Sequence, residues 1–301
     1  MTATPTPLPA PHRRALIEGI GLRLAATFLM TAMSAAVHAV AKEGVPVGQV
    51  MFWRSALAIP PILLWMALRG NFPGGLRTRH PKLHVTRGTL GALSMALSFL
   101  SLAYLPVANA QALAYLAPVL TLPLAAILLK ETLGPAVIFA VGLGFAGVVA
   151  LLWEALALPG DGALLGVAAG LAYAVTMAWV RVHTKRMTVT ESASTIAFYF
   201  ALVAAVAGLA TLPFGWESLS AAHLGWLVFA GLAGGIGHIV SNEAVARAPV
   251  SVLAPFDFTG LIWALGFDIV LFSVLPGPLG LLGVLAITAA GVMVSIPRRA
   301  R

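Results

Sequence analysis

Six ionisable side chains stand inside apolar runs of this 301-residue chain: His38, Arg54, His238, Glu243, Asp257 and Asp268. In an apolar medium each is costly unless it is paired or hydrated, so each is a candidate for function. None suggests covalent or metal chemistry. The two deep histidines belong to different halves of the chain, and no H-E-x-x-H helix occurs. The absence of cysteine removes disulfides and thiolate-bound metals. No G-x-x-x-x-G-K-[ST] loop is present to hold a nucleotide, so any work must be driven by a gradient. An intramembrane enzyme is therefore the weakest functional reading, and no cofactor or metal is implied. What these groups can do is hold charge where charge is expensive. Arg54 poses the problem most sharply: it interrupts the run VGQVMFWRSALAIPPILLWMAL, and a guanidinium cannot shed its proton.

The medium follows from composition. Hydrophobic residues make up 60% of the chain and charged residues 9%, against about 25% charged in a soluble domain. Such a chain cannot cover a water-facing surface, but a bilayer accepts an apolar exterior and needs about 20 apolar residues per span. Ten spans are predicted, at 22–41, 48–68, 84–104, 107–129, 135–153, 162–180, 192–213, 223–245, 249–272 and 278–296. The fold class is an all-α polytopic membrane protein. The first 21 residues read as a polar tail, 154–161 as a linker and 297–301 as a basic tail. The first span has no A-x-A cleavage signal and reads as uncleaved.

Charge orients the spans. With the N-terminus in the cytoplasm, sixteen of the eighteen Lys and Arg residues, Arg23 and Arg87 among them, fall on the cytoplasmic side, as short loops require. Lys42 falls outside and Arg54 lies within the membrane. The net charge of +8 thus anchors loops on anionic lipid and does not call for nucleic acid. Sliding the chain against itself by 143 residues pairs Gly88 with Gly231, Gly91 with Gly234, Pro106-Val107 with Pro249-Val250 and Gly134-Pro135 with Gly277-Pro278. Each half, 22–153 and 162–296, then holds five spans. The odd number forces the halves to enter from opposite faces. Inverted repeats of this kind build alternating-access transporters with a midplane site.

In its motifs the chain resembles the drug/metabolite transporter superfamily of the EamA type. The resemblance rests on RSALA starting at Arg54, on ANAQALAYLAPVLTLPLAAILLKETLGP, on Gly142 to Val148 and on GVAAGLAYAVTMAWVRVHTKR. The chain departs from the pattern where Val274 stands opposite Glu131. Within the superfamily it looks most like the YddG-type exporters of aromatic amino acids. The resemblance implies export of small metabolites from a bacterial cytoplasm across the inner membrane, with both termini cytoplasmic. The partners expected are a small-molecule substrate and the lipid bilayer.

The residues expected to line the cavity are His38, Arg54, Asn109, Gln111, Tyr115, Tyr173, Tyr199, His238, Asn242, Asp257 and Trp263. Depth along the helices makes Asp268 the acidic residue nearest the level of Arg54, so Arg54 is expected to pair with Asp268, as an outer gate, or with a substrate carboxylate. The competing reading has Arg54 snorkel to headgroups. Asp257 and Asp268 share a face of span nine, either toward a wet cavity or hydrogen-bonded to small-residue neighbours. His238 and Asn242 share a face of span eight, as a proton-carrying or a packing pair, beside glycines that admit another helix. Prolines 60, 61, 118, 123 and 255 either open sites or merely kink helices. Trp263 and the tyrosines wall a cavity or simply pack. Proton coupling would use Asp257 or His238; the scarcity of carboxylates favours a facilitator. The alternative to metabolite export on this fold is a multidrug or quaternary-ammonium exporter, with Asp257 as its midplane acid.

Overall fold

The structure, a computed structural model, describes residues 10–78, 80–117, 119–120, 135–155, 162–187, 190–248 and 250–295. Among these residues there are helices and turns but no strand, as lipid demands of chains whose backbone groups must bond within their own segment. The helices are α1 (Ala10–Ala41), α2 (Val47–Leu68), α3 (Pro81–Tyr104), α4 (Val107–Ala114), α5 (Pro135–Ala155), α6 (Ala163–Met187), α7 (Ala193–Leu209), α8 (Ala221–Arg247), α9 (Val250–Asp257), α10 (Thr259–Phe272) and α11 (Pro278–Ser295). Six helical stretches are long and apolar enough to cross a membrane, and shorter apolar helices accompany them. Leu64, Phe139, Val149, Val270 and Leu285 point outward, exposed as only a lipid-facing surface permits.

Sequence sets the ends of these helices. Prolines at 46, 81 and 106 start α2, α3 and α4, where a missing N–H costs nothing. Ser192 and Ser220 accept from the amides of Thr195 and His223 and so cap α7 and α8. Two expectations need adjusting. Helix α1 starts twelve residues before the drawn span, because its polar first turns can extend past the bilayer without breaking the helix. The ninth span is not continuous: it stops at Asp257 and restarts at Thr259, around Phe258.

The packing is reciprocal. Helix α1 lies along α8 as α3 lies along α6; α2 lies on α8 as α3 lies on α7. Helix α2 meets α7, α4 meets α10 and α5 meets α11. Apart from the α4–α10 contact, whose counterpart falls mostly outside the described residues, each maps onto itself or onto another when the two halves are exchanged, which is the pattern a two-fold axis produces. The halves also run in opposite directions. Helix α1 ends where Glu43 meets His223 at the start of α8, while α6 starts beside Tyr104 at the end of α3. The 143-residue shift brings Tyr115, the interruption after α4, onto Phe258, the interruption after α9. In space their rings pack 4.9 Å apart. We call the face carrying Arg69, Glu191 and Arg247 the basic face, and the face carrying Lys42, Tyr104 and Trp216 the far face.

Candidate functional site

Arg54 sits on α2 with 4% of its surface exposed. Its Nε and Nη2 donate to the Sδ of Met33 on α1, at 3.3 and 3.2 Å. A thioether is a weak acceptor and carries no charge to balance a guanidinium. Room for the group comes from α8: a Cβ on Gly234 would stand 2.9 Å from Nη2. Gly235 lets Ala58 and Pro61 of α2 approach in the same way. One turn from Gly234 on that face is His238. His238 and Asn242, with Ile62, Trp65, Ser194 and Glu243, line a cavity of about 160 Å³ toward the basic face.

Arg87, on α3, lies 4.2 Å over the ring of Phe200 on α7. Its Nε and Nη1 are buried without a hydrogen-bond partner, as is Nε1 of Trp53 beside Arg54. Buried donors of this kind are rare because each forfeits its bond to water.

Most of the described carboxylates are engaged elsewhere. Asp268 does not pair with Arg54. It is 1% exposed, and its two oxygens accept from the amides of Val107 and Ala108 at 2.9 and 2.7 Å, capping the N-terminus of α4. An anion there satisfies orphan donors and the helix dipole at once, so it has no need of a guanidinium. Asp257 faces Arg23 of α1, which grips it through Nε and through Nη2, the latter at 2.6 Å, while Nη1 reaches Ser241 at 2.6 Å. Glu243 binds Arg69 at 2.7 Å and Arg247 at 2.5 Å. Glu43 meets His223, and Glu18 meets Arg14. Glu191 accepts from Thr78 at 2.6 Å and stands 3.5 Å from His84. Burial pushes the Glu191 carboxyl upward, but the Thr78 bond and the neighbouring His84 and His80 outweigh it and hold the group below the usual carboxylate range.

Several residues named from sequence turn out to pack or brace. His38 shares Nδ1 with the carbonyl of Leu102 at 2.5 Å and stands edge-on to Phe272. Tyr199 donates to the Leu76 carbonyl at 2.8 Å and stacks on His84, holding the loop before α3 against α7. Trp263 meets Phe28 edge-on and is 37% exposed. Gln111 donates to the Tyr115 hydroxyl, which donates to the Asp257 carbonyl at 2.7 Å, so these two brace the broken ninth span. Asn109 lines a crevice of about 20 Å³ beside Asp268 on the far face, and Tyr173 is half-buried on α6. Pro118, Pro123 and Glu131 lie outside the described residues, as do the 154–161 linker, apart from the end of α5, and the 297–301 tail; the side chain of Pro255 also falls outside. The sequence reading missed Arg23 and Arg87 because the loop-charge count absorbed them. Both lie inside their drawn spans, and that was the signal.

The EamA-like transporter family model matches residues 18–153. Over 295 residues the chain is 25% identical to an uncharacterized transporter of Helicobacter pylori, covering 95% of this chain and 97% of that one. It is 26% identical to the pseudopaline exporter CntI of Pseudomonas aeruginosa, over 93% and 96% of the two chains. It is 28% identical to a riboflavin transporter of Rhizobium johnstonii, over 72% and 70%. A solved crystal structure 22% identical in sequence shares the fold, with a TM-score of 0.64 across 94% of this chain and 97% of that one. The chain is a multi-pass membrane protein whose residues 18–153 are similar to the EamA-like transporter family of the drug/metabolite transporter superfamily.

Proposed function

We propose that this protein exports small carboxylate-bearing metabolites across a bacterial inner membrane, by alternating access between its two inverted halves. The single observation that carries this reading is Arg54, a buried cation whose donors meet, among the described residues, only the Met33 thioether. A substrate carboxylate supplies the bidentate acceptor that a guanidinium fits. The basic face is the cytoplasmic one, since Lys and Arg gather there. The outward direction is supported by the relative named as an exporter. A quaternary-ammonium substrate would need a free carboxylate, and Asp257, the candidate for that role, is held by Arg23. The same engagement favours a facilitator over a proton-coupled carrier.

The test is transport by purified protein in liposomes, with wild type, Arg54→Ala and Arg54→Lys compared on a panel of amino acids, carboxylic acids and quaternary amines. Carboxylates should move, quaternary amines should not, and Arg54→Ala should stop transport. Arg54→Lys should restore part of it, because it keeps the charge but loses the fork. Transport undiminished in a well-inserted Arg54→Ala protein overturns the reading.

A further inference from the structure

The site contains more positive charge than one carboxylate can neutralise. Arg54 and Arg87 have no carboxylate partner among the described residues; Arg54 lies against Gly234, about one turn from His238, and Arg87 over Phe200, about one turn from Ala197, which lines the same cavity as His238. By helical rise, Arg54 stands roughly 10 Å inside the far end of α2 and Arg87 roughly 9 Å inside the basic end of α3, so in a core of about 30 Å their levels differ by roughly 10 Å. Two extended arginine side chains narrow that gap considerably. His238, roughly 13 Å from the basic end of α8, lies between them. Gly234 leaves the space that the Arg54 head occupies, and Gly91 does the same for Arg87: a Cβ there would stand 3.0 Å from its Nη1.

The acidic side shows the complement. Asp268 caps α4, Asp257 holds Arg23, Glu243 holds Arg69 and Arg247, and Glu191 holds Thr78. A zwitterion would bring an ammonium group into a region rich in free donors, where the described carboxylates of the spans, Glu243, Asp257 and Asp268, are already engaged. That costs desolvation with nothing returned.

We infer that the substrate class is a dianionic metabolite, such as a short dicarboxylate, with Arg54 taking one carboxylate and Arg87 the other, and His238 between them. This rests on the reading of Arg54 as a carboxylate anchor and adds Arg87 as the residue that sets selectivity. Aromatic and aliphatic amino acids that carry a single carboxylate then become poor substrates.

The experiment measures binding to purified full-length protein by thermal stabilisation, with glutarate, butyrate and leucine as probes, on wild type, Arg54→Gln, Arg87→Gln and Arg87→Lys. In wild type, glutarate should half-saturate at a concentration about tenfold or more below butyrate, the worth of one charge-assisted contact, and leucine should bind no better than butyrate. Arg87→Gln should erase the advantage of glutarate over butyrate, and Arg87→Lys should restore part of it. Arg54→Gln should weaken both carboxylates. If Arg54→Gln weakens butyrate but Arg87→Gln keeps the preference for glutarate, the dianion inference fails and the anchor reading stands. If Arg54→Gln leaves both acids unaffected, or wild type responds to no carboxylate, the anchor reading fails and the inference with it. Leucine binding as tightly as glutarate also overturns the inference. Should Arg87→Gln not fold, Phe200→Leu, which removes the ring beneath the guanidinium, should reduce the glutarate advantage alone.

Discussion

Arg23 and Arg54 are both arginines within spans, and the molecule treats them in opposite ways. Arg23 meets Asp257 through two nitrogens and Ser241 through the third, so its charge and its donors are satisfied inside the protein. Among the described residues Arg54, at 4% exposure, is left with one thioether. The first arrangement ties α1 to α8 and α9 and is complete without a ligand. The second lacks an anion. Leaving a buried charge uncompensated is costly, so on the proposed reading the unpaired arginine awaits the substrate while the paired one belongs to the frame around it. The carboxylates Asp257 and Asp268 divide along the same line: both are spoken for, one by a guanidinium and one by two backbone amides.

The sharpest way to break this contrast is at Arg54. Arg54→Ala should lower liposome transport by about a hundredfold, the loss expected for a buried bidentate contact, while leaving insertion intact. Gly234→Leu should approach the same loss by a different route, because a side chain there claims the space of the guanidinium. A Gly234→Leu protein that transports at the wild-type rate would mean that Arg54 swings free of α8.

The paired arginine should respond in stability first. Asp257→Ala leaves the Arg23 cation in a site where the two side chains are 20% and 31% exposed. The expected cost is about 2 kcal/mol, below the value for a fully buried pair because water still reaches it. Arg23→Met combined with Asp257→Leu should regain most of that stability, as apolar replacements of interior pairs commonly do. Thermal unfolding in detergent reads both. If the double variant is as unstable as the single, the pair does more than neutralise charge.

Much of this frame was legible in the sequence, and the reason is periodic. A repeat written as paired Pro and Gly steps survives into three dimensions: Tyr115 and Phe258, which the 143-residue shift superposes, pack with their rings touching. The helix directions followed from the odd number of spans per half. The partners of the polar residues were less visible. Depth alone put Asp268 level with Arg54, but depth does not tell which way a side chain points, and the start of α4 presents two unpaired amides at the same level. Arg23 and Arg87 were hidden by a rule that assigns basic residues to loops, although long arginines near span ends can turn inward as readily as outward. His38 and Tyr199 have backbone carbonyls for partners, and no residue type advertises a carbonyl.

Asp268→Asn offers a smaller test of the same division. It keeps the size and one acceptor but removes the charge facing the α4 dipole, so unfolding should cost about 1 kcal/mol less. Transport should stay within about twofold of wild type, the spread expected of a change this small. A collapse of transport in a stable Asp268→Asn protein would return Asp268 to the gate.

The smallest expected effect lies on the basic face, where Glu191 ties the loop before α3 to the start of α7 through Thr78 and His84. Its folded pKa lies below the ordinary carboxylate value, with burial opposing the shift and the Thr78 bond and the two histidines producing it. A depressed folded pKa means that the unfolded chain takes up the proton first as pH falls. The contribution of Glu191 is therefore fully present above the unfolded value, near 4.3 or about that, and is lost as pH drops through the lower, folded value. Below that pH the wild type and Glu191→Gln should show the same midpoint of thermal unfolding, and above it the wild type should be the more stable. Because Thr78 donates to the carboxylate from a single hydroxyl, Thr78→Val should remove part of the same pH dependence. A wild-type midpoint that falls no further than that of Glu191→Gln between neutral and acidic pH would show that the loop is held by Tyr199 and Thr195, through the Leu76 and Gly75 carbonyls, and owes nothing to the charge.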